Sequence, residues 1–410
     1  MRFTTKLLHD KFPPDAATGA TTQPIFQTSA FYQSTAEDMA KIFAGRKPGF
    51  VYTRVGNPTI ASFERRINAL EGGVGAVACS SGMAAVTQAV LNILSQGDEL
   101  VAAGGLYGGT SSIFRDLASF GITVRYAKGD KVADFAAVIT EKTKLIYVET
   151  IGNPKLDVAD IAGLAELAHA HEVPLFVDNT VTTPYLCQPL KLGADVVIHS
   201  TSKAINGNGN SIGGIVVSGG TFKWNPAKFP KLKECPFGPM SFLVRLRQRM
   251  VTDYGGCMAP FNAYLTGIGL DTLALREERI NENAKQLAEF CVTNGLEVNY
   301  PGLNTSPSHE LAKKQFNGHY GAMLTVKLGT KEKAFAFINA LKFFLNVSNI
   351  GDARSLIIHP ASTIFIHSSE EEKANAGVTD DLVRINVGLE DFADLRDDIK
   401  QALQTIESMQ

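Results

Sequence analysis

The sequence lacks a charge imbalance, a paired-cysteine motif and a long apolar run, and each absence removes a class of function. Its 39 Lys and Arg residues nearly cancel its 41 Asp and Glu residues. A net charge of -2 gives no electrostatic basis for a nucleic-acid or polyanion partner. The local basic cluster at 223–233 is interrupted by Trp224, Pro226 and Pro230 and reads as a solvated loop. The five cysteines, Cys79, Cys187, Cys235, Cys257 and Cys291, are widely spread and form no CxxC pair. They read as reduced thiols of a cytoplasmic protein, with Cys79 and Cys291 in apolar runs that suit core packing. Lys6, His9, Asp10 and Lys11 break up the apolar stretch a signal peptide needs, and no run reaches the length of a bilayer span, so no membrane partner is expected. His169 and His171 stand two apart in a helical stretch and point to different faces. With no other cluster of ligand types, no metal site is expected. Glycines at 207, 209, 213 and 214 do not follow the GxGxxG spacing and no ribose-binding acid follows them, which counts against a nucleotide-binding oxidoreductase.

With 410 residues and 45% hydrophobic content, the chain can bury large cores and should divide into at least two domains. It is organised around residues 196–218, VVIHSTSKAINGNGNSIGGIVVS. Residues 194–198 are apolar without alternation, which suits a strand covered on both faces of a parallel sheet. Ligands of such sheets bind beyond the carboxyl ends of the strands. There the chain supplies Ser200, Thr201, Ser202 and then Lys203, followed by glycines that let backbone approach a bound group. A partly dry lysine has a lowered pKa and can serve as nucleophile or base. Taken alone, Lys203 could equally be a surface lysine at a strand end.

Its company decides between these readings. KLIYVET (144–150) and PLFVDNT (174–180) are two more continuous apolar strands, each ending in an acid, so Asp178 also lies at a strand end. At 76–83 a strand runs through small hydroxyl residues into a helical stretch at 83–94, whose first amides can attract phosphate. A lysine, a buried aspartate and a phosphate cradle on one sheet edge describe a pyridoxal phosphate (PLP) site: Schiff-base amine, partner for the pyridinium nitrogen and anion anchor.

In chain order, residues 1–60 lack a long periodic helix and read as an arm. From 61 to 255, helical stretches at 60–70 and 161–171 alternate with strands at 100–103, 123–127 and those above, which predicts a mostly parallel sheet with helices on both faces. Beyond Gly255 and Gly256 a long helical run reaches Cys291, with Ile280, Ala284, Leu287, Ala288 and Cys291 on its buried face and Glu277, Glu278, Asn281, Glu282 and Lys285 outward. Strands at 321–328 and 382–387 and helices at 330–344 and 392–408 complete a smaller α+β domain spanning 256–410.

Seven motifs now stand in order: YTRVGNPT (52–59), SSGM (80–83), GGLYGGT (104–110), ETIGNP (149–154), VDNT (177–180), HSTSK (199–203) and VRINVGLED (383–391). In order and spacing they resemble the Cys/Met-metabolism PLP-dependent enzymes over nearly the whole chain. NSIGGIVVSGG (210–220) and SNIGDARSLIIHPAST (348–363) look most like that family's O-acetylhomoserine sulfhydrylases. The resemblance implies an α/β, aspartate aminotransferase-like fold (fold type I) with PLP as cofactor. It implies that Lys203 carries the cofactor and moves protons, that Asp178 faces the ring nitrogen, and that Tyr107 stacks on the ring and assists proton transfer. It further implies Asn153 beside the phenolic oxygen, and Ser81, Gly82, Met83, Ser200 and Ser202 around the phosphate. Tyr52 and Arg54 would reach the phosphate of a neighbouring subunit, so a homo-oligomer is expected, a tetramer built as a dimer of dimers. Arg384 and Asn349 would hold the substrate carboxylate; by pattern alone Arg384 is an ordinary polar-face arginine in LVRIN. The activity implied is γ-replacement on O-acetyl-L-homoserine by sulfide or a thiol. Cystathionine γ-synthase differs only in nucleophile and stays open. Methionine γ-lyase stays open too, although Gly109 stands where such lyases commonly carry cysteine.

Overall fold

The computed structural model describes residues 1–9, 15 and 17–407. The segment read as an arm holds two short helices, α1 (Phe3–His9) and α2 (Ala36–Phe43), and leads into α3 (Pro58–Glu71). Asn57 caps α3 by accepting from the Thr59 amide, Pro58 occupies the first turn, and Gly72 ends the helix in the left-handed region at φ 79°. Thr59 and Asn57 side chains in turn bond the Phe26 backbone and hold the arm against α3.

Among the described residues the large sheet has seven strands: β1 (Gly75–Cys79), β2 (Glu99–Ala102), β3 (Thr123–Tyr126), β4 (Thr143–Glu149), β5 (Leu175–Asp178), β6 (Val196–Ser200) and β7 (Gly214–Ser218). Their order is β1-β7-β6-β5-β4-β2-β3, and β7 alone runs against its neighbours. The apolar runs do not alternate because both faces are buried. Val196 and Ile198 pack with Tyr147 and Phe176, while Val197 packs on the opposite face with Ile60, Phe63 and Ile67 of α3. Each such side chain contributes about 1.5–3 kcal/mol when fully removed from water.

A second sheet of five strands, β8 (Glu297–Asn299), β9 (Met323–Lys327), β10 (Leu345–Asn346), β11 (Leu356–Ile358) and β12 (Leu382–Asn386), has the order β10-β11-β12-β9-β8. Val383, Ile385 and Val387 bury one face of β12 against Leu287, Ala288 and the C-terminal helix, Phe392–Glu407. The end of that helix as read from the sequence, Ser408, lies outside the described residues.

Three readings need correction. The long helical run is two helices, Pro260–Asp271 and Leu273–Thr293, which meet at Thr272. Glu277 and Asn281 do not face outward: both are buried, Glu277 beside Thr183 and Asn281 accepting the Tyr320 and Gly321 amides at 3.0 and 2.8 Å. Those partners come from remote segments, so the helical pattern alone could not reveal them. The basic loop at 223–233 is anchored by aromatic packing, with Phe229 buried and Trp224 stacked on Phe242 at 5.2 Å.

Arg276 ties the helix Leu273–Thr293 to the segment after Lys203. Its guanidinium donates to the Ala204 and Gly269 carbonyls at 2.6 and 2.8 Å and to Thr272 Oγ1 at 3.2 Å. A Cβ at Gly207 would come within 2.2 Å of it, so that glycine is required by close approach as well as by φ 71°. Replacing the guanidinium strands buried carbonyls. Arg276→Met should therefore lower unfolding free energy by about 3 kcal/mol in urea titration; an unchanged midpoint would show that these bonds add nothing net.

Candidate active site

The carboxyl ends of β4, β5 and β6 open into a cavity of about 380 Å³, bounded on its far side by the smaller domain. Its wall brings together Ser81, Gly82, Met83, Tyr107, Asn153, Asp178, Ser200, Ser202, Lys203, Asn349 and Arg384. Glu149 and Thr180 line it as well, without having been assigned a role from the sequence. The signal for Glu149 was present, since it is the acid that ends the apolar run of β4. Tyr52 and Arg54 are absent from the wall. Arg54 donates to the Thr252 carbonyl and lies over the half-exposed Tyr52 ring, 5.4 Å from its centre.

Lys203 follows β6 in a turn and donates from Nζ to Asn349 Oδ1 at 2.6 Å. Burial, and secondarily the Arg384 guanidinium, bring its ammonium from the usual 10.5 down to about 8. Arg384 is buried and donates to Asn153 Oδ1 at 2.8 Å and to the Asn349 carbonyl at 3.1 Å. Its Nε has no partner among the described residues, and burial draws the group down to about 10. Both cations are thus held by neutral oxygens. Asp178 accepts from the Thr180 amide at 3.0 Å and the Tyr147 hydroxyl at 3.3 Å, while burial raises its pKa. Tyr107, 43% exposed, stands at the start of α5 (Gly108–Asp116).

The cavity wall also carries groups that suit an anion. Helix α4 (Gly82–Leu91) begins there; Ser81 caps it by accepting from the Ala84 amide at 3.0 Å. The first amides of a helix have no intrahelical acceptor and carry its positive end. Glycines let the surrounding strands pack closely on this helix start: a Cβ at Gly82 would come within 2.5 Å of Ser200 Cβ, and one at Gly214 within 2.1 Å of the Ser81 carbonyl. Ser202 Oγ exchanges hydrogen bonds with the Gly213 backbone at 2.9 and 3.2 Å, which fixes the turn around Lys203. The buried Thr110 and Thr201 hydroxyls have no partner among the described residues. A lysine with a lowered pKa, a carboxylate at the end of β5 and an anion cradle on one cavity wall fit pyridoxal phosphate.

A fold of this kind with such a site defines a PLP-dependent enzyme of fold type I, and PLP is its cofactor. Residues 4–404 match the family described as Cys/Met metabolism PLP-dependent enzyme, and the chain belongs to that family. It is 41% identical to an O-acetyl-L-homoserine sulfhydrylase of Corynebacterium glutamicum, covering 98% of this chain and 97% of that one. It is 40% identical to a homocysteine synthase of Schizosaccharomyces pombe over 98% of each. The crystal structure of a putative O-acetylhomoserine (thiol)-lyase from Campylobacter jejuni, which contains a pyridoxyl-lysine monophosphate, superposes with a TM-score of 0.93 at 33% identity, covering 98% of this chain and 100% of that one. Among the described residues, no helix is long and apolar enough to cross a membrane.

An uncharged amine is the form that attacks an aldehyde. Covalent uptake of PLP by cofactor-free protein, followed by visible absorbance, should quicken as pH rises through about 8 and level off roughly one unit above that. A rate still climbing toward pH 10 would show Lys203 to titrate as an ordinary lysine.

Proposed function

We propose that the protein catalyses γ-replacement on O-acetyl-L-homoserine, with sulfide as nucleophile, giving L-homocysteine and acetate. The observation that carries this reading is the pairing of Lys203 and Arg384 on the wall of one cavity, in a chain about 40% identical over its length to sulfhydrylases and homocysteine synthases. Lys203, Asp178, Tyr107 and Asn153 would hold the cofactor ring, and Ser81, Gly82, Met83, Ser200 and Ser202 its phosphate. When bound, PLP supplies a sink for negative charge developed at Cα and Cβ of an amino acid.

The remaining work falls to the chain. Arg384 offers a planar donor pair to the substrate carboxylate, with Asn349 beside it. Asn153 holds Arg384 from one side, so the clamp and the ring site are mechanically linked. Lys203, uncharged for an appreciable fraction near neutral pH, takes the Cα proton and shuttles a proton at Cβ. Tyr107 assists departure of acetate from Cγ, sulfide adds at the same carbon, and the protons return. Gly109 leaves the Tyr107 ring room against Met83: a Cβ there would lie 2.6 Å from Tyr107 Cε1 and 3.1 Å from Met83 Sδ. A cysteine at this position would press on the tyrosine, so the ring placement depends on glycine here.

We take residues 1–60 as an arm, 61–255 as the PLP-binding domain and 256–410 as the small domain. We also place the enzyme in the cytoplasm, where five free thiols, four of them buried, remain reduced. It acts as a homo-oligomer, a dimer of dimers, in which Tyr52 and Arg54 of one subunit serve the phosphate of the next. Exposure of Tyr52 and the absence of both residues from their own cavity wall support this arrangement.

Two experiments test the reading. PLP-loaded protein given O-acetylhomoserine should form homocysteine only when sulfide is present, well ahead of 2-oxobutyrate. Abundant 2-oxobutyrate with little homocysteine would make it a γ-lyase. Separately, Lys203→Ala and Arg54→Ala chains should each be nearly inactive, yet co-expressed in equal amounts they should recover roughly a quarter of the parental activity, because half the dimers then hold one intact site. No recovery above the single variants would overturn the shared site.

A further inference from the structure

No step of this reaction uses Glu149, although it lines the same cavity. It ends β4 directly beside Asp178, its register partner on β5, and is 7% exposed. Burial raises both carboxyl groups, and charge on Asp178 disfavours charge on Glu149. The donors decide which group keeps the charge. Asp178 has two, the Thr180 amide and the Tyr147 hydroxyl, whereas Glu149 Oε1 accepts one, the Tyr107 amide at 2.6 Å. Burial, the neighbouring Asp178 and, more weakly, Asp157 all push Glu149 well above the usual carboxylate range.

Tyr107 needs this anchor. It occupies the cap position of α5 but contributes no side-chain cap, and no hydrogen bond of its hydroxyl is present among the described residues. Glycines precede and follow Leu106 and Tyr107, so the local chain is intrinsically loose. The place of the ring therefore depends on its backbone, and that backbone is fixed from β4.

We propose that Glu149 is a positioning residue for the reaction, holding the Tyr107 amide and through it the Tyr107 ring beside the cofactor. It acts as a neutral acid, leaving the single negative charge of the pair on Asp178. This rests on the PLP chemistry assigned above, but not on the identity of the amino-acid substrate.

The test compares Glu149→Ala with Glu149→Gln, whose side-chain carbonyl can accept the same amide without charge. In the alanine variant, hydrogen exchange at the Tyr107 amide should accelerate in cofactor-free protein and the visible band of the PLP-loaded protein should shift. Its kcat should fall about tenfold to a hundredfold, with KM for the amino-acid substrate changed much less. Glutamine should rescue all three readouts. In a Tyr107→Ala background, Glu149→Ala should cost little more in kcat, because the two residues act as one unit. Unchanged exchange and absorption in Glu149→Ala would overturn the proposal, as would a glutamine variant as impaired as alanine or fully additive losses. Should the alanine variant fail to fold, the glutamine variant decides alone: loss of amide protection or a shifted band contradicts it. Exchange and absorption are read without any amino acid present, so a wrong substrate assignment leaves both results standing.

Discussion

Keeping an amine uncharged inside a folded protein is the constraint on which this structure turns. Lys203, in the turn after β6, is largely withdrawn from water and sits near the buried cation of Arg384. Both effects disfavour its ammonium form. A carboxylate facing Lys203 would undo this by pairing with it; the side chain that meets it is an amide, Asn349. Arg384 likewise rests on the Asn153 amide and a backbone carbonyl rather than on an acid. Neither cation is thus neutralised by its hydrogen-bond partners.

The negative charge is placed with equal economy. Two carboxyl groups on the cavity wall stand at the ends of neighbouring parallel strands, Glu149 on β4 and Asp178 on β5. Strand register sets their separation, so loop motion does not alter it. Donors from Thr180 and Tyr147 favour charge on Asp178, where a pyridinium nitrogen would need it. The anion cradle at the start of α4 depends on glycines that no side chain can replace, since Gly82 and Gly214 touch Ser200 and Ser81. Arg276 then fixes the segment that carries Lys203 to the helix Leu273–Thr293. The cavity wall thus draws on both domains, and neutral partners hold its two cations.

Much of this was legible in the sequence because the parallel strands are buried on both faces and read as unbroken apolar runs ending in Glu149, Asp178 and Ser200. Lys203 and Asp178 could be placed on one sheet edge from that pattern, and the motif resemblance supplied Asn153, Asn349 and Arg384. Periodicity failed where burial is polar. Glu277 and Asn281 resemble solvent-facing helix positions, but Thr183, Tyr320 and Gly321 satisfy them from segments far away in the chain. Arg384 shares that problem: its strand face looks polar, yet the residue is buried and bonded to Asn153 and the Asn349 carbonyl. Trp224 was read with the lysines around it, whereas its ring packs on Phe242. The anchor from Glu149 to Tyr107 links residues 42 positions apart and has no local signature at all.

The account's central claim is that Lys203 is the amine that takes the cofactor. Borohydride reduction of the PLP-loaded protein, followed by proteolysis and mass mapping, tests it most directly. A pyridoxyl group confined to the peptide that contains Lys203 is the predicted result. Labelling of another lysine, with Lys203 unmodified, would contradict the site, its electrostatics and the chemistry built on them.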